Sequence, residues 1–474
     1  METLELADIQ GYIIRGYSNM QYSRFVLLKV EDALKAKHWL NGIADKLTVA
    51  TAPAVNTELP DTALNIAFTS PGLLALGMLP ENLSAFSPEF REGMVTDHRR
   101  RLLNDFDSSA PENWEWGAPN NLPVHAILLV FGKDEQTCLS YYKSLKDRFS
   151  ENGFSETIFL DGTLGKDNKE RFGFRDNISQ PLIKGSGRSG PAWNMINPGE
   201  FILGYRNEYN VYPDSPLIQK NQGDMGLLLT DAAGSGAKDL GRNCSYLVIR
   251  QMQQDVNAFW TFMNEKTKNQ DGSLNESEST RLASKMFGRW PSGAPLSIFP
   301  DSDPGGLSDT NDFGYAKEDK DGMKCPFGSH VRRCNPRDSF EDANKKESIK
   351  LSNRHRIIRR ARMYGEPFIG SATNTKPQGE VGLFFNCFNA DISRQFELIY
   401  HTWGNSTKVK KLYNDPDPII SVRENPSEGQ PQNFTIQGCP VNQTITGLQR
   451  FVKIKGGAYF FFPSITAVRY FATL

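Results

Sequence analysis

Residues 24–30 of the chain are RFVLLKV, an almost unbroken run of strand-forming side chains. Glu31 and Asp32 follow, and residues 33–47, ALKAKHWLNGIADKL, have the spacing of an amphipathic helix. Acidic residues are favoured at a helix start because they accept hydrogen bonds from its free N–H groups and face the positive end of its dipole. This stretch therefore predicts a strand that runs directly into a helix.

The same pattern recurs along the chain. Apolar runs followed by helical spacing occupy residues 124–132 (VHAILLVFG), 245–250 (SYLVIR) and 382–388 (GLFFNCF), and a further strand is predicted at 451–462 with a short helix after it. The strands are too apolar to alternate cleanly, which indicates that their helices bury them on at least one face. Two strand–helix units in each half predict a duplicated α+β fold, with sheets that carry helices on one side.

A long stretch rich in Gly, Pro and Asn separates the two copies. We therefore predict an N-terminal α+β domain over residues 1–185, a connecting region over 186–240 and a C-terminal α+β domain over 241–474. A second irregular stretch occupies residues 290–328. Loops of this length in compact domains usually serve a function, so both are expected to border a site.

Composition excludes several classes of protein. The 474 residues include 54 Lys and Arg against 55 Asp and Glu, so the balanced charge gives no footprint for nucleic acid or an anionic membrane surface. The apolar share of 38% and the charged share of 23% are those of a globular chain. The mean hydropathy is −0.49, and no apolar run reaches the roughly 18 residues of a membrane span.

The N-terminal residues and the cysteines both point to a reducing compartment. The first ten residues, METLELADIQ, lack a basic segment followed by an apolar one, so a cytoplasmic location is expected. The six cysteines are scattered and never form C-x-x-C. This pattern indicates free thiols, and it favours neither a disulfide framework nor a zinc site.

Three short segments carry the candidate chemistry, and each also has an ordinary structural interpretation. His330 stands between a Gly turn and two arginines, which is compatible with a metal ligand near anionic groups or with a loop histidine. Asp176 lies in a turn that could equally be a surface turn. Arg359 and Arg360 interrupt an apolar strand, and because strand residues alternate, at least one is expected to point inward. A GSGRSG match at 185–190 precedes Pro191 and no helix, so we interpret it as a loop.

Taken in order along the chain, these segments resemble the dye-decolorising peroxidases, a family of haem peroxidases. The resemblance covers nearly the whole chain and is closest to the larger bacterial and fungal subclasses. The matching segments are DIQGYIIRGY (8–17), GFRDN (173–177), CPFGSHVRRCNPR (325–337), HRIIRRARMYG (355–365), GLFFNCFNADISRQFE (382–397) and GGAYFFFPS (456–464). The resemblance implies two ferredoxin-like domains of the dimeric α+β barrel type, with haem b in the second domain.

The resemblance also implies roles for single residues. His330 would be the proximal iron ligand, Asp176 the distal acid and Arg359 the distal arginine. Leu383 and Phe385 would line the peroxide pocket. Asp417, in DPII at 417–420, would accept a hydrogen bond from the proximal histidine, and Arg332 or its neighbour Arg333 would contact a haem propionate.

Two positions depart from the family pattern. Asn177 replaces the last glycine of the distal motif, and Asn tolerates the positive φ that such a turn needs. Met363 replaces a proline before Tyr-Gly, which would let the Arg359 strand end differently. Neither change removes a group that takes part in the chemistry.

The implied activity is reduction of hydrogen peroxide coupled to one-electron oxidation of dyes and phenolic or other aromatic reductants. Bulky dyes would deliver electrons through surface Tyr or Trp side chains. The alternatives are a chlorite dismutase-like haem enzyme, which would have a distal arginine without a distal acid, and a non-catalytic haem carrier or encapsulated cargo protein. A monomer and a homodimer are both compatible with the sequence, and no nucleic acid or membrane partner is expected.

Overall fold

The computed structural model describes residues 3–52, 59–340, 344–426 and 431–474, and within these ranges strands alternate with helices. The strands are β1 (Tyr22–Val30), β2 (Thr62–Phe68), β3 (Ala126–Gly132), β4 (Phe154–Thr163), β5 (Leu182–Ile183), β6 (Met195–Ile196), β7 (Ser245–Gln254), β8 (Ile358–Arg359), β9 (Arg362–Tyr364), β10 (Gly382–Asn389), β11 (Phe434–Ile436), β12 (Gln443–Ile445) and β13 (Val452–Phe462).

The α-helices in the described ranges are mostly short. They are α1 (Ala33–Ile43), α2 (Ser70–Ala75), α3 (Pro80–Leu83), α4 (Pro88–Glu92), α5 (Asp97–Leu103), α6 (Glu135–Lys146), α7 (Val256–Thr267), α8 (Glu276–Phe287), α9 (His330–Cys334), α10 (Lys345–Asn353) and α11 (Ile465–Phe471). None of the helices in the described part of the chain combines the length and the apolar character needed to cross a lipid bilayer.

Eight strands form one closed antiparallel ring. Their order is β7-β13-β2-β3-β1-β4-β9-β10, and β10 pairs back to β7. The short strand β8 also pairs with β10, where Arg359 lies opposite Cys387. Every strand of the ring is therefore paired on both sides, so the ring presents no open edge.

Each half of the ring has the same strand order. In the N-terminal half, which comprises β1–β4, the order is β4-β1-β3-β2, and in the C-terminal half, which comprises β7–β10 and β13, it is β13-β7-β10-β9. Both follow the fourth-first-third-second order of a ferredoxin-like unit, with a helix after the first and third strands. The duplicated α+β fold predicted from the sequence is confirmed. The domain boundaries at 185 and 240 stay a prediction.

Two apolar clusters explain why the strands are apolar along their whole length. Val26 and Leu28 of β1 pack with the helices in the larger cluster, whereas Phe25 and Leu27 pack in a second cluster on the opposite face of the sheet. All four side chains are fully buried. A strand buried on both faces shows no alternation of apolar and polar residues.

Two features of the ring differ from the sequence-based expectation. The helix predicted after β10 is a π-helix in two runs, Ser393–Glu397 and Ile399–Asn405, in which the Glu397 amide reaches back to the Ile392 carbonyl. The strand β4 was not expected, because its residues FSETIFLDGT are largely polar and only partly buried. It forms because it pairs with β1 along nearly its full length.

Candidate active site

A cavity of about 230 Å³ lies on the helix-covered face of the C-terminal half, next to the loop that follows β4. Apolar side chains form most of its wall. They are Phe172, Phe174, Ile178, Met252, Phe287, Val331, Ile357, Leu383, Phe385, Phe396, Ile399, Ile419, Ile420 and Val452. Leu383 and Phe385 alternate along β10, so both face this cavity while Phe384 between them packs in the opposite cluster. The structure thus places these two residues where the sequence predicted a pocket wall.

Asp176 and Arg359 meet in the wall of this cavity. The Arg359 Nη1 donates to the Asp176 Oδ1 at 2.8 Å, although the residues are 183 positions apart. Both side chains are partly accessible, at 29% for Arg359 and 18% for Asp176, so they reach the cavity without being sealed in. Arg360 points to the other face, where it donates to the Tyr12 and Ile13 carbonyls. The alternation expected for this arginine pair is therefore present.

The loop that carries Asp176 depends on two residues with positive φ. Gly173 has φ +102°, and a Cβ there would lie 2.2 Å from the Gly370 carbonyl oxygen. Asn177 has φ +64°, which confirms that Asn takes the left-handed conformation where the family pattern has Gly. The Asp176 amide donates to the Asn168 carbonyl at 2.8 Å. The backbone thus fixes the point from which the carboxylate projects.

Gln180 links this loop to the arginine strand. Its side-chain oxygen accepts the Arg359 amide at 3.0 Å, and its side-chain nitrogen donates to the Asn177 side chain at 3.2 Å. The acid and the arginine are therefore held by one connected set of hydrogen bonds, in addition to their own. Gln180 was not singled out as a site residue, although it belongs to the ISQP run that follows the distal motif.

His330 lies in the cavity wall at the start of α9, and Asp417 lies behind it. The Nδ1 of His330 and the Oδ2 of Asp417 are 2.8 Å apart, and the other Asp417 oxygen accepts the Ile419 and Ile420 amides. Burial lowers the pKa of His330, but the Asp417 carboxylate outweighs this effect and raises the pKa well above its ordinary value. Because Nδ1 is engaged, Nε2 is the ring nitrogen available to the cavity.

The expected contact of Arg332 or Arg333 with a haem propionate stays a prediction, and both side chains have protein partners in this structure. The Arg332 guanidinium donates to the Asp319 carboxylate and the Cys325 carbonyl and lies between the rings of Tyr315 and Phe327. Arg333 donates instead to main-chain carbonyls that include those of Trp403 and Asp415. Neither side chain belongs to the cavity wall. Both arginines anchor α9 and so fix His330, because their donors are taken up by groups outside the cavity.

Two other arginines supply the positive charge of the cavity. Arg289 and Arg356 line its wall, and within the described residues neither forms an ion pair. Burial together with Arg337 lowers the pKa of Arg289 to about 10, and burial with Arg337 and Arg359 lowers the pKa of Arg356 to about 9. Buried cations without an acidic partner favour an anionic ligand. No sequence pattern distinguishes Arg289, whereas Arg356 lies in the HRIIRR run at 355–360, near Arg359.

The residues present fit a haem group. The largely apolar wall suits a porphyrin, and the Nε2 of His330 suits its iron. Arg289 and Arg356 donate to neutral oxygens only, so their positive charges suit the two carboxylates of the group. The hydrogen bond from Nδ1 to Asp417 is the usual outer contact of a metal-bound imidazole, because it fixes the ring and raises its basicity.

Comparison with known proteins agrees with this geometry. Residues 8–164 match the family model described as the DyP dimeric alpha+beta barrel domain. The chain is 28% identical to a dye-decolorizing peroxidase of Mycetinis scorodonius, an alignment that covers 98% of this chain and 87% of that protein. It is also 28% identical to a multifunctional dye peroxidase of an Amycolatopsis species, covering 98% of this chain and 95% of the relative.

Solved structures show the same architecture. A fungal DyP-type peroxidase from Auricularia auricula-judae superposes with a TM-score of 0.78 at 25% identity, and the match covers all of both chains. A dye-decolorizing peroxidase solved with 2,6-dimethoxyphenol superposes with a TM-score of 0.75 at 24% identity, over 99% of this chain and all of that one.

The closed antiparallel ring and its matched family model define an α+β barrel of the DyP type. The chain is homologous over its full length to fungal and bacterial dye-decolorising peroxidases. The resemblance found in the sequence motifs and the fold class expected from it are both confirmed.

Proposed function

We propose that this protein is a haem b peroxidase that reduces hydrogen peroxide and oxidises dyes and phenolic or other aromatic compounds by one-electron steps. The observation that carries the proposal is the contact of the Asp176 carboxylate with the Arg359 guanidinium in the cavity that His330 also lines. Bound haem would supply the iron that takes up peroxide and the oxidising equivalents that pass to the reductant.

Asp176 and Arg359 have different roles in the proposed reaction. Ionised Asp176 accepts the proton of the peroxide oxygen that binds and returns it to the oxygen that leaves, acting as base and then as acid. Arg359 stays charged throughout and stabilises the negative charge that builds up as the O–O bond breaks. Their hydrogen bond keeps the carboxylate directed at the cavity.

His330 and Asp417 together would determine how strongly the imidazole donates electron density to a bound iron. Asp417 is fully buried and accepts the Nδ1–H of His330, so the ring keeps one orientation and one tautomer. Arg332 and Arg333 hold the helix on which His330 stands. His330 is thus the member of this group that lines the cavity, and Asp417, Arg332 and Arg333 hold it from outside the cavity wall.

The substrate class is supported by two relatives. One curated relative is a multifunctional dye peroxidase, and one solved relative is a complex with 2,6-dimethoxyphenol. We assign peroxide to the cavity itself, and we assign to a bulky dye an electron relay from the protein surface. Trp403 is the aromatic side chain we propose for this relay, because its ring lies 5.3 Å from the ring of His355 in the cavity wall.

The test is peroxide reactivity measured by stopped-flow absorption of the haem-loaded protein. Asp176→Asn and Arg359→Leu are each expected to slow the peroxide reaction by about 100-fold or more, since each removes a group that acts in bond cleavage. His330→Ala is expected to lose the Soret spectrum of a histidine-bound haem. Asp161→Asn is the matched control, because Asp161 pairs with Arg24 away from the cavity.

Three outcomes would contradict the proposal. Wild-type reactivity in both distal variants would show that the pair does not act on peroxide. Conversion of chlorite in place of peroxide would favour the chlorite dismutase-like alternative. That alternative expects no distal acid, whereas Asp176 is hydrogen-bonded to Arg359. Haem binding without peroxide turnover in the wild type would favour a carrier.

A further inference from the structure

Glu170 is a buried carboxyl in the cavity wall for which the proposed chemistry has no use. The residue is 6% exposed, and no cation among the described residues forms an ion pair with it. A carboxyl group buried without a cation is costly, so its hydrogen bonds and its position need an explanation.

Glu170 holds the turn that presents Asp176. One of its oxygens accepts the Phe174 amide at 2.8 Å and the other accepts the Phe172 amide at 2.9 Å. The main chain closes the same turn, since the Glu170 amide donates to the Phe174 carbonyl at 2.9 Å. The Glu170 carboxyl group therefore accepts hydrogen bonds from two main-chain amides of this turn that would otherwise lack an acceptor.

Gln254, at the end of β7, fastens this turn to the ring. Its side-chain nitrogen donates to Glu170, and its side-chain oxygen accepts the Arg171 amide at 3.4 Å. Arg171 in turn donates to the Tyr364 carbonyl at the end of β9. The turn is thus tied to a strand of the ring and to the segment that carries Arg359.

We propose that Glu170 is a positioning residue for Asp176 and that its charge controls the peroxide reaction from inside the cavity wall. The inference rests on the proposed function and extends it to a second acid. Glu170 is assigned no contact with peroxide. It acts through the turn that it holds and through the field that it creates.

The charge of Glu170 changes in the neutral pH range. Burial raises its pKa to about 7, against the effect of the Phe172 and Phe174 amides and the Gln254 side chain, and the negative charge of Asp176 adds to the rise. The charged groups with an electrostatic effect on it or from it are Asp176 and Arg171 on its own loop. The other charged or titratable groups of the same cavity wall are Arg175, Arg289, His330, Cys334, His355, Arg356, Arg359 and Tyr400. β7 contributes the neutral side chains Met252 and Gln254.

Ionised Glu170 therefore adds a negative charge beside Asp176. This charge opposes the negative charge that develops on the leaving oxygen, which Arg359 otherwise stabilises. The peroxide reaction of the wild type is expected to slow by about fivefold to tenfold as the pH rises through 7, as a like charge in a partly buried site would cause.

The experiment combines infrared titration with peroxide kinetics. In the wild type, the carbonyl band of a protonated carboxyl group is expected to disappear as the pH rises through about 7. Glu170→Gln should lose this component and flatten the decline in peroxide rate above pH 7. Glu170→Asp keeps a charge but shortens its reach, so it should speed hydrogen exchange at the Phe172 and Phe174 amides and slow the reaction at every pH.

Glu200 provides the matched control. It is also a buried glutamate, and burial likewise raises its pKa to about 7, but it pairs with Arg394 outside the cavity. Glu200→Gln should remove its own infrared component and leave the pH profile of the peroxide reaction unchanged.

The proposal is overturned if Glu170→Gln keeps the wild-type pH profile, or if the infrared titration near pH 7 is unaffected by it. If Glu170→Gln fails to fold, Glu170→Asp still decides, because unchanged amide exchange in that variant contradicts the positioning role. The infrared and exchange measurements need no peroxide. They therefore report on Glu170 even if the wild type shows no peroxidase turnover, which would contradict the proposed function alone.

Discussion

At the scale of single residues, the contact between His330 and Asp417 fixes the imidazole of the cavity wall. Asp417 is fully buried, and its carboxylate contacts His330, the Cys334 thiol and the main-chain amides of Ile419 and Ile420. Burial raises the pKa of Asp417, but His330 outweighs it and lowers the pKa below its ordinary value. The carboxylate is therefore held ionised beneath the imidazole.

Asp417→Asn is expected to weaken this arrangement without removing the ligand. An amide attracts the Nδ1 proton less strongly, so the peroxide reaction or the haem affinity should fall by about 10-fold to 100-fold. Stopped-flow kinetics and haem titration of the unloaded protein would measure both effects. Asp415→Asn is a neighbouring control, since Asp415 accepts the Thr435 amide and leaves His330 untouched. Equal losses in the two variants would show a general disturbance of the segment.

Trp403→Phe tests the relay at the same scale. If Trp403 passes electrons from the surface through His355, the variant should oxidise a bulky dye about tenfold more slowly while its rate with a small phenol is retained, because an indole is oxidised more readily than a phenyl ring. Trp39→Phe is the control, since Trp39 packs against Phe149 and Phe154. Unchanged dye turnover in Trp403→Phe would exclude Trp403 as the relay.

At the scale of elements, the turn before Asp176 shows how the backbone limits the site. Gly173→Ala would place a Cβ 2.2 Å from the Gly370 carbonyl oxygen and would keep a positive φ. The free energy of unfolding is expected to fall by about 3 kcal/mol, from steric overlap together with backbone strain. Urea unfolding would measure this change.

Gly187→Ala separates the two causes. Gly187 has φ +78°, but nothing lies within 4 Å of a Cβ built there, so only the backbone strain of about 1 kcal/mol is expected. A loss in Gly187→Ala as large as that in Gly173→Ala would show that the contact with Gly370 is unimportant.

The elements also show what the sequence could predict. The strands β1, β3, β7, β10 and β13 were recognisable because each contains an apolar run and leads into a helix. β4 was not, because its stability comes from pairing with β1, which no local pattern reports. The π-helical form of residues 393–405 was also missed, since the same apolar spacing suits an α-helix.

The residues of the candidate site also include some that the sequence could predict and some that it could not. His330, Asp176 and Arg359 were found because they stand in segments with a family pattern, and the structure brings the last two into contact. Arg289 and Glu170 were not found, because their importance lies in missing ion-pair partners, and burial without a partner is a property of the folded chain. The choice between Arg332 and Arg333 stays a prediction, because adjacent arginines near a histidine look alike in the sequence.

At the scale of the whole molecule, buried glutamates predict how stability depends on pH. Burial raises the pKa of both Glu170 and Glu200 to about 7 from an ordinary value of 4.5. Between these values the folded protein holds protons that the unfolded chain releases, so the free energy of unfolding should fall as the pH rises from about 4.5 to 7.

Thermal unfolding across this pH range would measure the effect. The midpoint is expected to decline between about pH 5 and 7, and the slope should be smaller in the variant that carries both Glu170→Gln and Glu200→Gln. A slope of opposite sign in the wild type, or an equal slope in the double variant, would contradict the assignment of these two carboxyl groups.

The two halves of the ring meet where β4 pairs with β9, so substitutions in one half are expected to depend on the sequence of the other half. Asp176 follows the last strand of the N-terminal half, whereas Arg359 lies in the C-terminal half, so neither repeat alone contains both members of this ion pair. A substitution within residues 168–180 alters the surroundings of residues 356–371 directly, through Gln180, Arg171 and the approach of Gly173 to Gly370. A substitution in one of these two segments should therefore be accompanied by a substitution in the other. An alignment of homologues would show this dependence as co-variation between the two repeats.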